Sequence, residues 1–376
     1  MVANLIIEMS FYKKYHLPVW IAVAILLLTA FSDIHEDIPK TGFWAMKGKL
    51  ITHDFEDKTD SLSGPEIYEL QDSTGLTIWF GRHLFKDVCI SGKCKMIRVW
   101  IFWNGAGNYL GHQIIPGEPL TKSDHTLFAD ADYKKLDNIL KDSTSILKRL
   151  KQEELIIVPE NRELLKVDGY TAATQPTLAE VVVKDAVYTC HTLWHTVYGP
   201  VQKRIFEILE SRISNNYLAL LFKNENPDYN LLAIGFVQKY PDFHSQFYPE
   251  IIRCIQSKND NLSIKALEYF HSEFLKDETI QNQIVKVIPV VSTQRKNDIL
   301  WRLSEVGKIN DNSVLELLEM VEKKQIGVGS INLVLRLIQP EQIRNNHEIS
   351  NKMQNLAKSE NAYIRNLFNK HLNKIN

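Results

Sequence analysis

Along the chain, runs of apolar residues change their period, and each change marks a different kind of element. Near the start, Leu17-Pro-Val-Trp-Ile-Ala-Val-Ala-Ile-Leu-Leu-Leu-Thr-Ala-Phe31 is apolar throughout, with no amphipathic period. Lys13 and Lys14 precede it, and Ser32, Asp33, Glu36 and Asp37 follow. That is the layout of an export signal. About 15 apolar residues fall short of the roughly 20 a membrane span needs, which predicts a cleaved signal peptide over residues 1–32, with Ala30 and Ser32 as the small residues before the cut. An uncleaved membrane anchor through residues 17–31 is the alternative, and a buried core helix the third. Met9 would begin a signal of more usual length, with residues 1–8 an upstream extension.

Residues 40–160 read as sheet. Gly75-Leu-Thr-Ile-Trp-Phe80 and Met96-Ile-Arg-Val-Trp-Ile-Phe-Trp103 are strand-like, with turns at Asn104-Gly-Ala-Gly-Asn108 and Pro116-Gly117. The Asn104–Asn108 turn lacks the Lys-Ser/Thr of a phosphate loop, so a hairpin is expected there. Helices are predicted over Tyr133–Leu140 and Ser143–Leu155, which makes this region α+β. From Leu178 to Tyr198 a long helix is expected, with Val181, Val182, Ala186, Val187, Cys190, Leu193, Trp194 and Val197 on one broad side, ending at Gly199-Pro200.

Beyond Val201 glycine thins out and amphipathic helices succeed one another across short polar connections. They repeat. Segments beginning near Asn226, Asp260, Gln294 and Val328 are each about 34 residues long and hold two helices, with Ala266, Leu300, Val334 and Phe368 at equivalent places. This resembles HEAT-like repeats. The expected architecture is therefore an α+β domain over residues 40–199 followed by an all-α solenoid of helical hairpins over 200–376, with an N-terminal signal or anchor helix. A helical array of this kind presents an extended surface, which usually binds protein. A fragment beginning near Pro200 is expected to fold as helices alone, with the 178–198 helix as its first cap.

Composition narrows the function. With 44% apolar and 24% charged residues the chain is an ordinary globular protein of about two domains. Its 44 basic and 45 acidic residues leave a net charge of -1, which gives no broad positive field for nucleic acid. An exported chain meets oxidising conditions, so the close pair Cys89 and Cys94 is read as a disulfide across a hairpin turning at Ser91-Gly92, with free thiols or half a metal site as alternatives. Cys190 and Cys254 look unpaired. His191 and His195 stand one helical turn apart beside Cys190, a spacing that suits a metal, a buried pair, a partner-facing pair or a proton relay. No Ser-His-Asp or paired-carboxylate arrangement supports a hydrolase.

One motif is more specific. Asp168-Gly-Tyr-Thr-Ala-Ala-Thr174 matches the pattern Asp-x-x-Ser/Thr-Gly/Ala-Ala-Thr and resembles FMN-binding domains, among them the flavinylated subunits of sodium-pumping quinone reductases. The resemblance covers about residues 45–200. It implies that a flavin transferase joins FMN through its phosphate to the hydroxyl of Thr174, with Asp168, Gly169, Thr171, Ala172 and Ala173 forming the rest of the motif. A helix opening at Pro176 would turn its N-terminal amides toward that phosphate. Thr174 as a plain N-cap is the other reading. The resemblance implies an exported electron-transfer flavoprotein, periplasmic or anchored facing the periplasm, whose helical repeats hold membrane or periplasmic partners. The alternative is a flavin-free protein-interaction scaffold of the cell envelope.

Overall fold

The computed structural model describes residues 41–57, 60, 62–88, 94–156 and 176–374. Five strands, β1 (Lys49–Asp54), β2 (Glu66–Gln71), β3 (Thr77–Lys86), β4 (Ile97–Asn104) and β5 (Tyr109–Ile114), form one sheet in the order β1-β2-β3-β4-β5. Chain neighbours are sheet neighbours, as hairpin connections produce. β1 pairs antiparallel with β2, placing Lys49 opposite Gln71 and Asp54 opposite Glu66. Beyond the sheet the regular elements are helical, so the architecture is α+β followed by an all-helical region.

The molecule divides into two compact units: Met1–Ser73, Gly81–Phe102 and Gly111–His195 in the first; Thr74–Phe80, Trp103–Leu110 and Thr196–Asn376 in the second. In the first, the edge strand β1 is polar and largely exposed, with Lys49 and Asp54 discouraging further strand pairing. β4 is buried on both faces, which explains why Ile97–Trp103 reads as an almost unbroken apolar run. A 3-10 turn at Gly42–Ala45 lies over one sheet face: Phe43 meets Phe102 at 4.3 Å between ring centroids, and Trp44 meets Trp100 at 4.8 Å. α1 (Asp130–Lys141) buries Leu136, Ile139 and Leu140, and carries acids in its first turn and Lys141 in its last, as its dipole favours.

Two helical expectations in this unit are corrected. Residues 143–155 form not a helix but two 3-10 turns, Ile146–Arg149 and Gln152–Glu154. The apolar stretch 178–198 breaks into α2 (Pro176–Ala179) and α3 (Val187–Val197). Asp185 between them has φ 60, a left-handed conformation that stops a helix. Val181 is exposed at 44%, whereas Val182, Ala186, Val187, Cys190, Leu193, Trp194 and Val197 are buried as expected.

The second unit contains α4 (Pro200–Glu210), α5 (Asn215–Lys223), α6 (Pro227–Lys239), α7 (His244–Cys254), α8 (Asp260–Tyr269), α9 (Glu278–Val285), α10 (Thr293–Ser304), α11 (Asp311–Glu322), α12 (Ile331–Leu337), α13 (Pro340–Asn345), α14 (His347–Leu356) and α15 (Ala362–Leu372). They stack in two layers. α6 packs on α8, α10 on α12 and α12 on α15; behind them α9 packs on α11 and α11 on α14. Asn226, Asn259 and Ser292 cap α6, α8 and α10, each accepting from a backbone N–H of the first turn, and stand 33 residues apart. Ala266 on α8, Leu300 on α10, Val334 on α12 and Phe368 on α15 are all fully buried. Polar side chains also link successive turns of the stack: Asp311 at the start of α11 accepts from Gln342 at 2.7 Å and from Asn346 at 2.9 Å. Those bonds hold its carboxyl below the usual range.

Among the described residues no helix is long and apolar enough to cross a membrane, and the expected signal or anchor stretch 17–31 lies outside them.

Candidate functional site

The motif residues Asp168, Gly169, Thr171, Ala172, Ala173 and Thr174 lie outside the described residues. Just after them comes α2, a single turn of four residues, so the N-terminal field expected of a long helix is that of one turn, which adds little to binding a phosphate. Leu178 within it is fully buried.

The histidine pair sits on α3. Its rings are 4.2 Å apart between centroids. His191 Nε2 lies 2.9 Å from the Leu150 carbonyl and His195 Nε2 lies 3.0 Å from the Leu147 carbonyl, so each Nε2 carries the proton and donates it. Trp194 Nε1 donates to the Asp142 carbonyl at 2.9 Å. Three polar side chains of α3 thus pin the 142–150 segment. Burial lowers the His191 pKa, with the neighbouring His195 charge acting the same way, which keeps the ring neutral and suits a structural donor. Cys190 is fully buried, its thiol pushed up to about 12 by desolvation, and its sulfur accepts from the Val183 N–H. A thiol held protonated in this way neither attacks nor ligates readily. No group of three or more metal-ligating side chains occurs among the described residues.

Cys94 is disulfide-bonded, and Cys190 and Cys254 are free buried thiols. Cys89 and the Ser91-Gly92 turn lie outside the described residues. The strands flanking them stop early: β3 ends at Lys86 and β4 begins at Ile97, so Val88 and Cys94 are not ladder residues, contrary to a tight hairpin with strands reaching both cysteines.

The Asn104–Asn108 turn is a hairpin, as its composition predicts. Its amides are all used. Gly105 N–H donates to the Tyr229 hydroxyl at 3.2 Å, Ala106 and Asn108 N–H to Asn104 Oδ1, and Gly107 N–H to the Asn104 carbonyl. None is left to cradle a phosphate.

Sequence reasoning missed two features. Arg82 is buried in the first unit at 1% exposure, 3.7 Å from the equally buried Asp60, with its guanidinium 4.6 Å above the Phe55 ring. Nothing in a strand pattern marks it. The second is a groove of about 880 Å³ between α8 and α10, lined by Asp260, Ile264, Glu268, Arg295, Trp301 and Glu305. Its sequence signal is Trp301, an apolar residue beside the buried stripe of Ile299, Leu300 and Leu303 and itself 52% exposed. The chain matches no family model, no curated protein and no solved structure.

Proposed function

We propose that the chain is an exported protein of the cell envelope whose helical unit holds a protein partner and whose first unit carries FMN covalently on Thr174. The observation that supports partner binding is the stacked helical unit with its half-apolar groove between α8 and α10, for extended surfaces on helical arrays serve recognition. Its two-helix units are read as HEAT-like repeats. The flavin reading is supported by the motif Asp168–Thr174, in which Ala172 and Ala173 are residue types that add no bulk beside the threonine. Electron transfer among membrane or periplasmic partners is the role such a flavin would have, with a flavin transferase needed for maturation. A flavin-free scaffold is the second reading, favoured by the single-turn length of α2.

Intact-mass spectrometry after co-expression with a flavin transferase separates the two. The wild-type chain gains one FMN phosphate adduct and stays yellow when denatured; Thr174→Ala, which has no oxygen for the ester, gains none. Unmodified wild-type mass would leave the flavin-free scaffold, and an adduct on Thr174→Ala would move the attachment elsewhere. Export is tested separately, by nonreducing peptide mapping of protein alkylated promptly on extraction. Cys89 linked to Cys94 is the expected result; recovery of both as thiols would overturn their pairing.

A further inference from the structure

A hollow of about 370 Å³ opens between α12 and α15, which pack on one another. Asn332 and Arg336 reach it from α12, one turn apart on the same face. Lys370, His371 and Lys374 reach it from the end of α15 and the turn just after, again on one helical face. Leu335, buried, and Leu367, half-buried, supply its apolar lining. Arg336, Lys370 and Lys374 are exposed, and among the described residues no carboxylate lines the hollow or pairs with any of the three. A helix dipole favours a cation in the last turn, where Arg336 and Lys370 stand, but it does not neutralise them. Lys323 and Lys352, by contrast, are neutralised by Glu319 and Glu322. The Arg336 guanidinium also lies over the Trp301 ring, 5.4 Å from its centroid, a contact that leaves its charge unpaired. Half-buried His371 completes the wall, and its Nε2 is buried without a hydrogen-bond partner. Burial, with Lys374 beside it, holds that ring toward its neutral form.

We propose that this hollow binds a phosphomonoester dianion. Three uncompensated cations around one concavity, in a chain of net charge -1, form a local positive excess. The excess is too compact for a nucleic-acid track and suits one small, multiply charged group. A tetrahedral phosphoryl group offers three terminal oxygens. Lys370 and Lys374 meet them as point charges and Arg336 as a fork of N–H donors. The Asn332 amide donates as well, and a phosphoryl oxygen is the partner that His371 Nε2 lacks. Leu335 and Leu367 cover the carbon beyond the ester oxygen. A soluble phosphate ester and a phosphatidate headgroup carry the same chemistry, and the test separates them. The inference goes beyond the flavin and partner-binding readings and depends on neither.

Isothermal titration calorimetry on the full chain at mildly alkaline pH tests it, with phenyl phosphate, a dianion there, set against phenyl sulfate, the matching monoanion. Phenyl phosphate binds, and binds less tightly as salt rises. Phenyl sulfate binds roughly tenfold more weakly. Lys370→Gln weakens phenyl phosphate roughly tenfold, and Lys370→Gln combined with Lys374→Gln removes measurable binding. Lys323→Gln, outside the hollow, leaves it unchanged. These side chains are exposed, so each variant keeps the circular dichroism spectrum of the parent. Cosedimentation with phosphatidylcholine vesicles that contain phosphatidate identifies a lipid source: binding lost in the double variant, with phenyl phosphate inert, supports the same site with a headgroup as its ligand. Equal affinity for phenyl sulfate, failure of both phosphate probes, or binding indifferent to Lys370 and Lys374 overturns the inference. So does a poly-glutamate peptide that binds the hollow in place of both.

Discussion

Gly105 and Gly235 show how a single missing side chain carries opposite consequences in the second unit. A Cβ on Gly105 would stand 2.0 Å from the Thr77 carbonyl oxygen and 2.5 Å from the Tyr229 hydroxyl, in a turn where neither backbone nor phenol has room to retreat. Gly105→Ala is expected to destabilise the chain by about 3 kcal/mol. Gly235 is exposed within α6 with no atom within 4 Å of a built Cβ, so Gly235→Ala is expected to stabilise by about 0.5–1 kcal/mol through helix propensity. Urea unfolding of both variants checks the pair of signs; a neutral Gly105→Ala would show that the turn is not clamped as described. The turn itself was legible in Asn104-Gly-Ala-Gly-Asn108, because turn chemistry is local. The clamp was not, since Tyr229 is 124 residues away in the chain. The same holds at Arg82, whose burial depends on Asp60 and Phe55 rather than on its neighbours in β3.

At the scale of elements, the succession of helices was legible and two helix boundaries were not, for a common physical reason. Ala266, Leu300, Val334 and Phe368 could be aligned because each lies on the buried stripe of a front-layer helix, and that stripe is written in the period of the sequence. The 143–155 segment carries a similar stripe, yet the carbonyls of Asp142, Leu147 and Leu150 accept from Trp194, His195 and His191. Carbonyls claimed from outside leave a tighter, shorter turn in place of a helix. This arrangement has a pH dependence. Desolvation is the largest cause lowering the His191 pKa, so the folded chain holds the ring neutral where the unfolded chain would take a proton. Its contribution is fully present above the unfolded value of about 6.5 and is lost as pH falls below it toward the depressed folded value. Thermal melts between pH 5 and 8 should therefore show stability falling on acidification. His191→Gln, which keeps an N–H donor and does not titrate, should flatten that fall; an unchanged slope would remove His191 as its source.

At the scale of the whole molecule, the change of pattern at Gly199-Pro200 marks where helices begin to dominate, but the second compact unit draws on more than the residues after it. Thr74–Phe80 and Trp103–Leu110 belong to it. Trp79, Phe80 and Trp103 are fully buried, Trp103 Nε1 donates to the Val197 carbonyl at 2.9 Å, and Gln202 Nε2 donates to the Gly107 carbonyl at 2.9 Å. Tyr229 and Arg212 both donate to Thr77, to its carbonyl and its hydroxyl respectively. A reading by period cannot see these bonds, because they join strand ends to helices about a hundred or more residues later in the chain. A fragment starting at Pro200 should accordingly remain strongly helical by circular dichroism, since the stacked layers from α6 to α15 are intact, yet expose the side chains that cover these strand ends. It should bind a hydrophobic dye and melt below the full chain. Starting instead at Thr177 should restore little, because α3 through His195 belongs to the first unit. Appending residues 74–110 in trans as a peptide should reduce dye binding, since it returns Trp79, Phe80 and Trp103. If both fragments melt as high as the full chain and bind no dye, the strand ends are dispensable and the helices from Pro200 onward are an independent domain.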